Sequence, residues 1–159
     1  MARAALEQLG LEQLLFIPTG TQSYRPAPVA SAAHRVAMLK LALQGEPRYA
    51  VDKRELAASA TGYTVDTLKL FDRPWLLMGA DQYAKLDSWH RPDEVRRLAR
   101  IAVFARPGSE FSGKAKIITA PPMNISASDL RVRAARGEDL SPFVPAAVAD
   151  YIKREGLYR

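Results

Sequence analysis

The stretch that decides the fold reads W-L-L-M-G-A-D-Q-Y-A-K-L-D-S-W-H, from Trp75 to His90. Its first four residues form an unbroken apolar run, which is typical of a strand buried on both faces of a parallel sheet. The run ends in Gly79-Ala80-Asp81. Small residues at the carboxyl end of a central strand let a ligand approach the backbone, and a carboxylate there suits a ribose hydroxyl. The stretch therefore predicts a ligand site at a strand end, with Asp81 as either a sugar ligand or the cap of the next helix.

Two aromatic residues, Trp89 and His90, close the same stretch after a short polar segment. A tryptophan beside a cleft can stack on a flat ring, but a tryptophan that only packs in a core gives the same pattern. From the stretch alone both interpretations stay open.

Composition places the chain among soluble globular proteins. Its 159 residues favour one domain, and 48% hydrophobic with 25% charged residues is ordinary for that class. We find no apolar run of about 18 residues and no signal peptide, so we expect neither a membrane helix nor secretion. The absence of cysteine excludes disulfides and fits a cytoplasmic protein. Two histidines, His34 and His90, argue against a multi-histidine metal site, and His34 is interpreted as a structural or surface histidine.

The net charge of +6, from 23 basic and 17 acidic residues, favours anionic partners. Nucleic acid and phosphorylated small molecules both fit that description. The basic residues are scattered and are not interleaved with aromatic residues, which argues against nucleic acid. A salt-dependent gel shift with DNA or RNA would test that alternative. The sequence leaves a homo-oligomer open.

Short apolar strands alternate with helices along the chain, which predicts a doubly wound, mostly parallel α/β sheet of Rossmann-like type with a C-terminal helical segment. Ligands bind outside the carboxyl ends of the strands in such folds. The predicted strands are 14–17, 49–52, 75–78, 101–105 and 116–119, and the predicted helices are 1–9, 31–44, 64–70, 81–85, 92–100, 126–136 and a segment within 142–155. The predicted N-caps are Ser31, Thr64 and Ser126, and Gly10 is a predicted helix stop.

Four connections carry residues suited to a ligand, and we expect them to face one crevice. They are Pro18-Thr19-Gly20, Gly79-Ala80-Asp81, Arg106-Pro107-Gly108 and Asn124-Ile125-Ser126.

The segment Ser126 to Arg131 is a candidate anion site, because two hydroxyls, the free N–H groups of a helix start and an arginine occur together. The alternative is a plain N-cap with a solvated arginine. Arg25, in a proline-rich loop, could reach a phosphate or could simply be exposed. Neither G-x-x-x-x-G-K-[ST] nor G-x-G-x-x-G is present, so no common phosphate loop explains the pattern.

The order of these pieces resembles the bacterial nicotinate-nucleotide adenylyltransferases, members of the nucleotidyltransferase superfamily that is named for its H-I-G-H motif. The combination of Y-T-x-D-T-L, G-A-D, W-H and I-S-x-[ST]-x-[IL]-R is highly specific. The matching pieces are L-F-I-P at 15–18, H-R-V-A-M-L at 34–39, D-K-R-E-L at 52–56, G-Y-T-V-D-T-L at 62–68, M-G-A-D at 78–81, S-W-H at 88–90, A-R-P-G at 105–108, N-I-S-A-S-D-L-R at 124–131 and V-P-A-A-V-A-D-Y-I-K-R-E-G-L-Y at 144–158.

The resemblance implies adenylyl transfer from ATP to nicotinate mononucleotide, a step of NAD biosynthesis, with Mg²⁺ on the ATP phosphates. It implies that Trp89 stacks on the pyridine ring, that backbone near Thr64 and His90 reads the carboxylate, and that Arg25 approaches the acceptor phosphate. For ATP it implies Gly79 and Asp81 on the ribose and adenosine side, Arg106 near the adenine, and a phosphate-binding segment. That segment comprises Ile125, Ser126, Ser128 and Arg131.

One departure from the family pattern concerns the start of the domain. The family opens with a strand and the motif G-G-x-F-D-P-x-H-x-G-H, which this sequence lacks. Met1 aligns just beyond the motif, so we expect residues 1–159 to form one nucleotidyltransferase domain that is incomplete at its N-terminus. The motif histidines are the ones expected to stabilise the transition state, and neither His34 nor His90 replaces them by position. Catalytic residues therefore stay unassigned.

The same departure keeps other functions open. The chain could be a truncated or non-catalytic nucleotide-binding remnant of the family. A sister adenylyltransferase acting on phosphopantetheine or a flavin is disfavoured by Y-T-V-D-T-L together with S-W-H. Loss of the family's central strand would also leave two strand edges open.

Overall fold

The computed structural model describes residues 1–20, 27–104, 113–121 and 125–159. Arg25 and Arg106 lie outside these ranges, so the contacts predicted for them stay predictions. Two 3₁₀ turns, Arg54–Leu56 and Leu86–Ser88, accompany the regular elements. The helices and strands are α1 (Ala2–Leu9), β1 (Leu14–Phe16), α2 (Ala32–Ala42), β2 (Tyr49–Val51), α3 (Thr64–Leu68), β3 (Trp75–Gly79), α4 (Ala80–Tyr83), α5 (Pro92–Leu98), β4 (Arg100–Phe104), β5 (Lys116–Ile118), α6 (Ala127–Ala135) and α7 (Ala146–Arg154).

The predicted α/β class with parallel strand pairing is confirmed. The described strands form two sheets, β1-β2 and β3-β4-β5, and every strand pair in them is parallel. The chain divides into two compact units, each with one of these sheets. The first unit comprises Met1–Glu12 and Thr61–Pro122, and the second comprises Gln13–Ala60 and Met123–Arg159.

In the first unit, β4 is the central strand and β3 lies beside it, with Gly79 paired to Phe104. The prediction that β3 is buried on both faces is wrong, because only Met78 of that strand is buried and its other residues are half-buried. The central position of β4 gives it the fully buried pair Ala102 and Val103. A core cluster packs under α3 and α5, and it consists of Val65, Leu68, Leu86, Val95 and Ala99.

In the second unit, α2 packs against α7, and the buried cluster comprises Ala134, Leu140, Val148 and Ile152. His34 Nδ1 lies 2.9 Å from the hydroxyl oxygen of Tyr151, so this histidine joins the two helices. The structural interpretation of His34 is therefore confirmed. Among the four described ranges, no helix has the length and apolar character needed to span a membrane.

Among the predicted helix boundaries that are wrong are the start of α3 and the end of α5. The helix α3 takes Tyr63 as its N-cap residue, and Thr64 is its first helical residue, not its cap. The helix α5 ends at Leu98, because Arg100 already pairs with Trp75 as the first residue of β4. The pairing of β4 with β3 thus decides where α5 ends.

Candidate functional site

The carboxyl end of β3 offers open space beside the backbone. Gly79 has ordinary extended dihedral angles, φ −77° and ψ 159°, and a Cβ atom built on it would meet no heavy atom within 4 Å. Gly79 is also the N-cap residue of α4, so the alternative that Asp81 caps this helix is wrong. Asp81 lies exposed in the first turn of α4, where its negative charge suits the helix start.

Two segments that are distant in sequence meet in the first unit. The rings of Tyr63 and His90 stack with centroids 4.1 Å apart and an angle of 26° between their planes. Trp89 is half-buried against the core cluster that Tyr63 also contacts. Thr64, Trp89 and His90, which the family resemblance assigns to one end of the substrate, are thus brought to one region. Trp89 packs against the core, and its stacking on a ligand stays a prediction.

A charged group supports the start of α3 in this region. The Thr61 hydroxyl donates a hydrogen bond of 2.7 Å to Asp66 Oδ2, and Lys69 Nζ lies 3.0 Å from Oδ1. These two hydrogen bonds, that from Thr61 foremost, hold the pKa of Asp66 below its ordinary value of 3.8, and the charge of His90 acts in the same direction. Sequence analysis missed Tyr63, Thr61 and Asp66 as parts of the region.

The residue after His90 has an unusual backbone conformation. Arg91 adopts the left-handed region, with φ 55° and ψ 58°, and it is the N-cap residue of α5. Its Nε lies 2.9 Å from Oε2 of Glu94. A non-glycine residue in this region costs free energy, and such residues occur often at functional sites. The sequence R-P at 91–92 signals a helix start but not this conformation.

The start of α6 is a well-formed cap. Ser126 Oγ accepts a hydrogen bond from the N–H of Asp129 at 3.1 Å and donates one to its Oδ2 at 2.8 Å. Arg131 Nη2 donates to Ser128 Oγ at 3.0 Å. The two serines thus have different partners, and both are exposed together with Arg131. Ile125 precedes them and is half-buried. The N-cap interpretation of Ser126 is confirmed, and phosphate binding by the segment stays a prediction.

Contacts within the second unit restrain the residues that follow β1. Arg35 Nη1 donates to the Thr19 carbonyl at 2.7 Å, and a Cβ atom on Gly20 would lie 2.2 Å from the carbonyl oxygen of Glu55.

A cavity of about 230 Å³ in the second unit is lined by residues such as Asp139, Ile152 and Leu157, and by none of the predicted site residues. Within the described residues no group of three or more histidine or carboxylate side chains could hold a metal ion.

Comparison with known proteins places the chain in a family. A family model described as cytidylyltransferase-like matches residues 1–133. A protein of Laribacter hongkongensis named "Probable nicotinate-nucleotide adenylyltransferase" is 38% identical, over 100% of this chain and 86% of its own length. A protein of the same name from Bordetella petrii is 39% identical, over 100% of this chain and 90% of its own length.

A solved structure resembles the fold as well. The nicotinic acid mononucleotide adenylyltransferase of Plasmodium falciparum, complexed with NaAD, matches with a TM-score of 0.79 over 99% of this chain and 89% of that one. The sequence identity is 15%, so this match bears on the fold alone.

Proposed function

Because the chain belongs to the cytidylyltransferase-like family and, within it, to the nicotinate-nucleotide adenylyltransferases, we propose that it transfers the adenylyl group of ATP to nicotinate mononucleotide. The products are deamido-NAD and pyrophosphate, so the reaction is a step of NAD biosynthesis. ATP enters as its magnesium complex. This fits the described residues, since Mg²⁺ is commonly bound through substrate phosphates and needs no all-protein cage.

The observation that carries the proposal is the meeting of two segments in the first unit. The Tyr63–His90 stack joins the start of α3 to the segment that follows α4. These are the segments that the family resemblance assigns to the nicotinate end of the substrate. An aromatic ring beside the backbone of these two segments suits a flat heterocycle that carries a carboxylate.

The chemistry requires little from the protein beyond positioning and charge. A phosphate oxygen of nicotinate mononucleotide attacks the α-phosphorus of ATP, the bond from that phosphorus to the β-phosphate oxygen breaks, and pyrophosphate leaves. No covalent enzyme intermediate is needed. The protein contributes by holding the two nucleotides in line and by neutralising the charge that spreads over the phosphate oxygens.

Within this scheme the nicotinate end is held by Trp89, through its ring, and by backbone near Thr64 and His90. The ATP end would contact the open backbone at Gly79 and the carboxylate of Asp81. The exposed hydroxyl of Ser128 and the guanidinium of Arg131, already 3.0 Å apart, suit a triphosphate. We assign Ile125 and Ser126 to the same phosphate-binding segment, and Arg25 and Arg106 keep the roles predicted from the sequence.

The first test measures pyrophosphate release from ATP, Mg²⁺ and nicotinate mononucleotide by this chain. A second version carries the family's opening strand and G-G-x-F-D-P-x-H-x-G-H motif at its N-terminus. We expect turnover in the extended version. Nucleotide binding without turnover in either version would favour the alternative of a non-catalytic nucleotide binder. Failure of both versions to bind either nucleotide would contradict the proposal.

The second test changes Trp89. Replacing it by alanine removes the ring that we expect to stack on the pyridine, so the KM for nicotinate mononucleotide should rise roughly tenfold while the KM for ATP changes little. Because Trp89 also packs against the core, Trp89→Phe serves as the control that retains an aromatic ring. An unchanged KM in a folded Trp89→Ala variant would remove this residue from the site.

A further inference from the structure

We propose that Tyr63 is a positioning residue for the nicotinate nucleotide. Its ring holds the His90 ring and thereby sets the backbone of the Trp89–His90 segment. This inference rests on the proposed function and adds to it a residue that acts through others, since Tyr63 itself need not contact the substrate.

Tyr63 is held in place by packing against the core and by backbone hydrogen bonds. It is half-buried and packs against the core cluster of the first unit. Its N–H donates to Thr61 Oγ1 at 3.2 Å, and its carbonyl accepts the N–H of Asp66 at 3.1 Å as the first bond of α3. The ring is therefore attached to a fixed part of the unit, and it can act as a platform.

His90 is the residue whose ring this platform restrains. It is exposed, and its ring stacks nearly parallel on Tyr63 at a centroid distance of 4.1 Å. The pKa of Asp66, in the first turn of α3, is lowered chiefly by its hydrogen bonds from Thr61 and Lys69 and to a lesser degree by His90. An exposed imidazole without this stack would have several rotamers available, and ordering it on binding would cost free energy.

On the C-terminal side of His90, the backbone is restrained by the conformation of Arg91. Arg91 adopts the left-handed conformation, and its carbonyl accepts the N–H groups of Glu94 and Val95 at 3.1 Å each. The ion pair between Arg91 and Glu94 adds to this turn. The His90 backbone thus lies between a restrained side chain and a restrained turn.

Tyr63 is therefore placed to set both backbone segments that are assigned to the nicotinate carboxylate. It is bonded directly to Thr64 along the chain, and it holds His90 through its ring. Loss of the ring should loosen the spacing between the two segments. Discrimination between the acid and the amide nucleotide depends on that spacing, because backbone N–H groups favour a carboxylate only when they converge on it.

The experiment compares Tyr63→Leu, Tyr63→Phe, His90→Ala and the double variant Tyr63→Leu/His90→Ala. Calorimetry measures the Kd of nicotinate mononucleotide, of the amide nucleotide and of ATP. We expect Tyr63→Leu and His90→Ala each to raise the Kd of the acid nucleotide about three- to tenfold and to reduce the preference for it over the amide. The Kd of ATP should stay unchanged, Tyr63→Phe should retain wild-type values, and the double variant should be no weaker than the worse single variant.

The outcomes that overturn the inference are specific. An unchanged Kd in His90→Ala overturns it even if Tyr63→Leu fails to fold, because His90 is exposed and its loss leaves the core intact. Additive effects in the double variant, or equal losses in Tyr63→Phe and Tyr63→Leu, overturn the role of the ring stack.

A separate readout distinguishes this inference from the proposed function. The NMR shifts of the His90 ring protons report the stack in the absence of any nucleotide. A shift that changes in Tyr63→Leu with no change in Kd overturns the positioning role alone. Absence of nicotinate-nucleotide binding both in the wild-type chain and in its N-terminally extended version overturns the proposed function as well.

Discussion

The left-handed conformation of Arg91 has a measurable cost. Replacing Arg91 by glycine or by alanine removes the same ion pair with Glu94, so the difference between the two variants isolates the backbone. Because glycine tolerates positive φ and alanine does not, we expect Arg91→Gly to be more stable than Arg91→Ala by about 1 kcal/mol. Urea unfolding of both variants measures this difference. Equal stabilities would show that the turn relaxes in the variants.

The hydrogen bond from Thr61 to Asp66 predicts a pH dependence of stability. The pKa of Asp66 is lowered in the folded chain, so the carboxylate contributes stability that is present above its ordinary pKa of 3.8 and is lost as pH falls through the folded-state value. Thr61→Val removes the hydrogen bond to Asp66 that contributes most to the lowering of its pKa. We therefore expect the wild-type chain to exceed Thr61→Val in Tm at pH 6 and this advantage to shrink below about pH 3.8.

The matched control for this prediction is Thr61→Val in an Asp66→Asn background, where the Tm difference should not vary with pH. Thr61 also accepts the N–H of Tyr63, and this bond accounts for any part of the difference that is independent of pH. A pH-independent difference in both backgrounds would contradict the assigned cause.

At the scale of elements, two glycines near strand ends differ in the space that a side chain would have. A methyl group on Gly20, beyond the end of β1, would lie 2.2 Å from a backbone oxygen of Glu55, whereas one on Gly79 would meet nothing within 4 Å. We expect Gly20→Ala to lower the free energy of unfolding by about 1–3 kcal/mol, because a backbone atom must move. Gly79→Ala should change it by less than about 0.5 kcal/mol.

The same substitution at Gly79 also tests the proposed contact with ATP. If ATP approaches the backbone at Gly79, the added methyl group occupies part of its space, and Gly79→Ala should raise the KM for ATP without loss of stability. Steady-state kinetics with varied ATP measure this effect. A wild-type KM for ATP in the stable Gly79→Ala variant would place the adenosine elsewhere.

At the scale of the whole molecule, the two compact units have separate buried clusters. Leu86 is fully buried in the first cluster and Ile152 is 9% exposed in the second. Replacing either by alanine should cost about 2–5 kcal/mol. We expect Leu86→Ala to raise native-state amide exchange mainly in residues 61–122, and Ile152→Ala mainly in α2 and α7. Equal increases in both units for either variant would show one cooperative unit.

Local signals in the sequence predicted most elements of this chain. Ser31 and Ser126 were identified as helix caps from their position before helical patterns, and both accept the expected backbone N–H. Gly10 was identified as a helix stop and takes the left-handed conformation, with φ 61°. Such signals succeed because a cap or a stop depends on residues within one turn of itself.

The candidate site was predicted less completely. The sequence indicated Thr64, Trp89 and His90 but missed Tyr63, because nothing local in G-Y-T-V-D-T-L distinguishes a tyrosine that stacks on a distant ring from one that packs in the core. It also left two roles for Asp81, and the structure removed one of them by beginning α4 at Ala80.

By itself, the sequence determined the α/β class, the order of the elements and the family, since these depend on periodicity, caps and motif order along the chain. Only the tertiary structure decided that β4 rather than β3 is the central strand of its sheet, that Tyr63 meets His90, and that Arg91 is left-handed. The physical reason is that burial, ring stacking and backbone strain arise between residues far apart in sequence, and they exist only once the chain has packed.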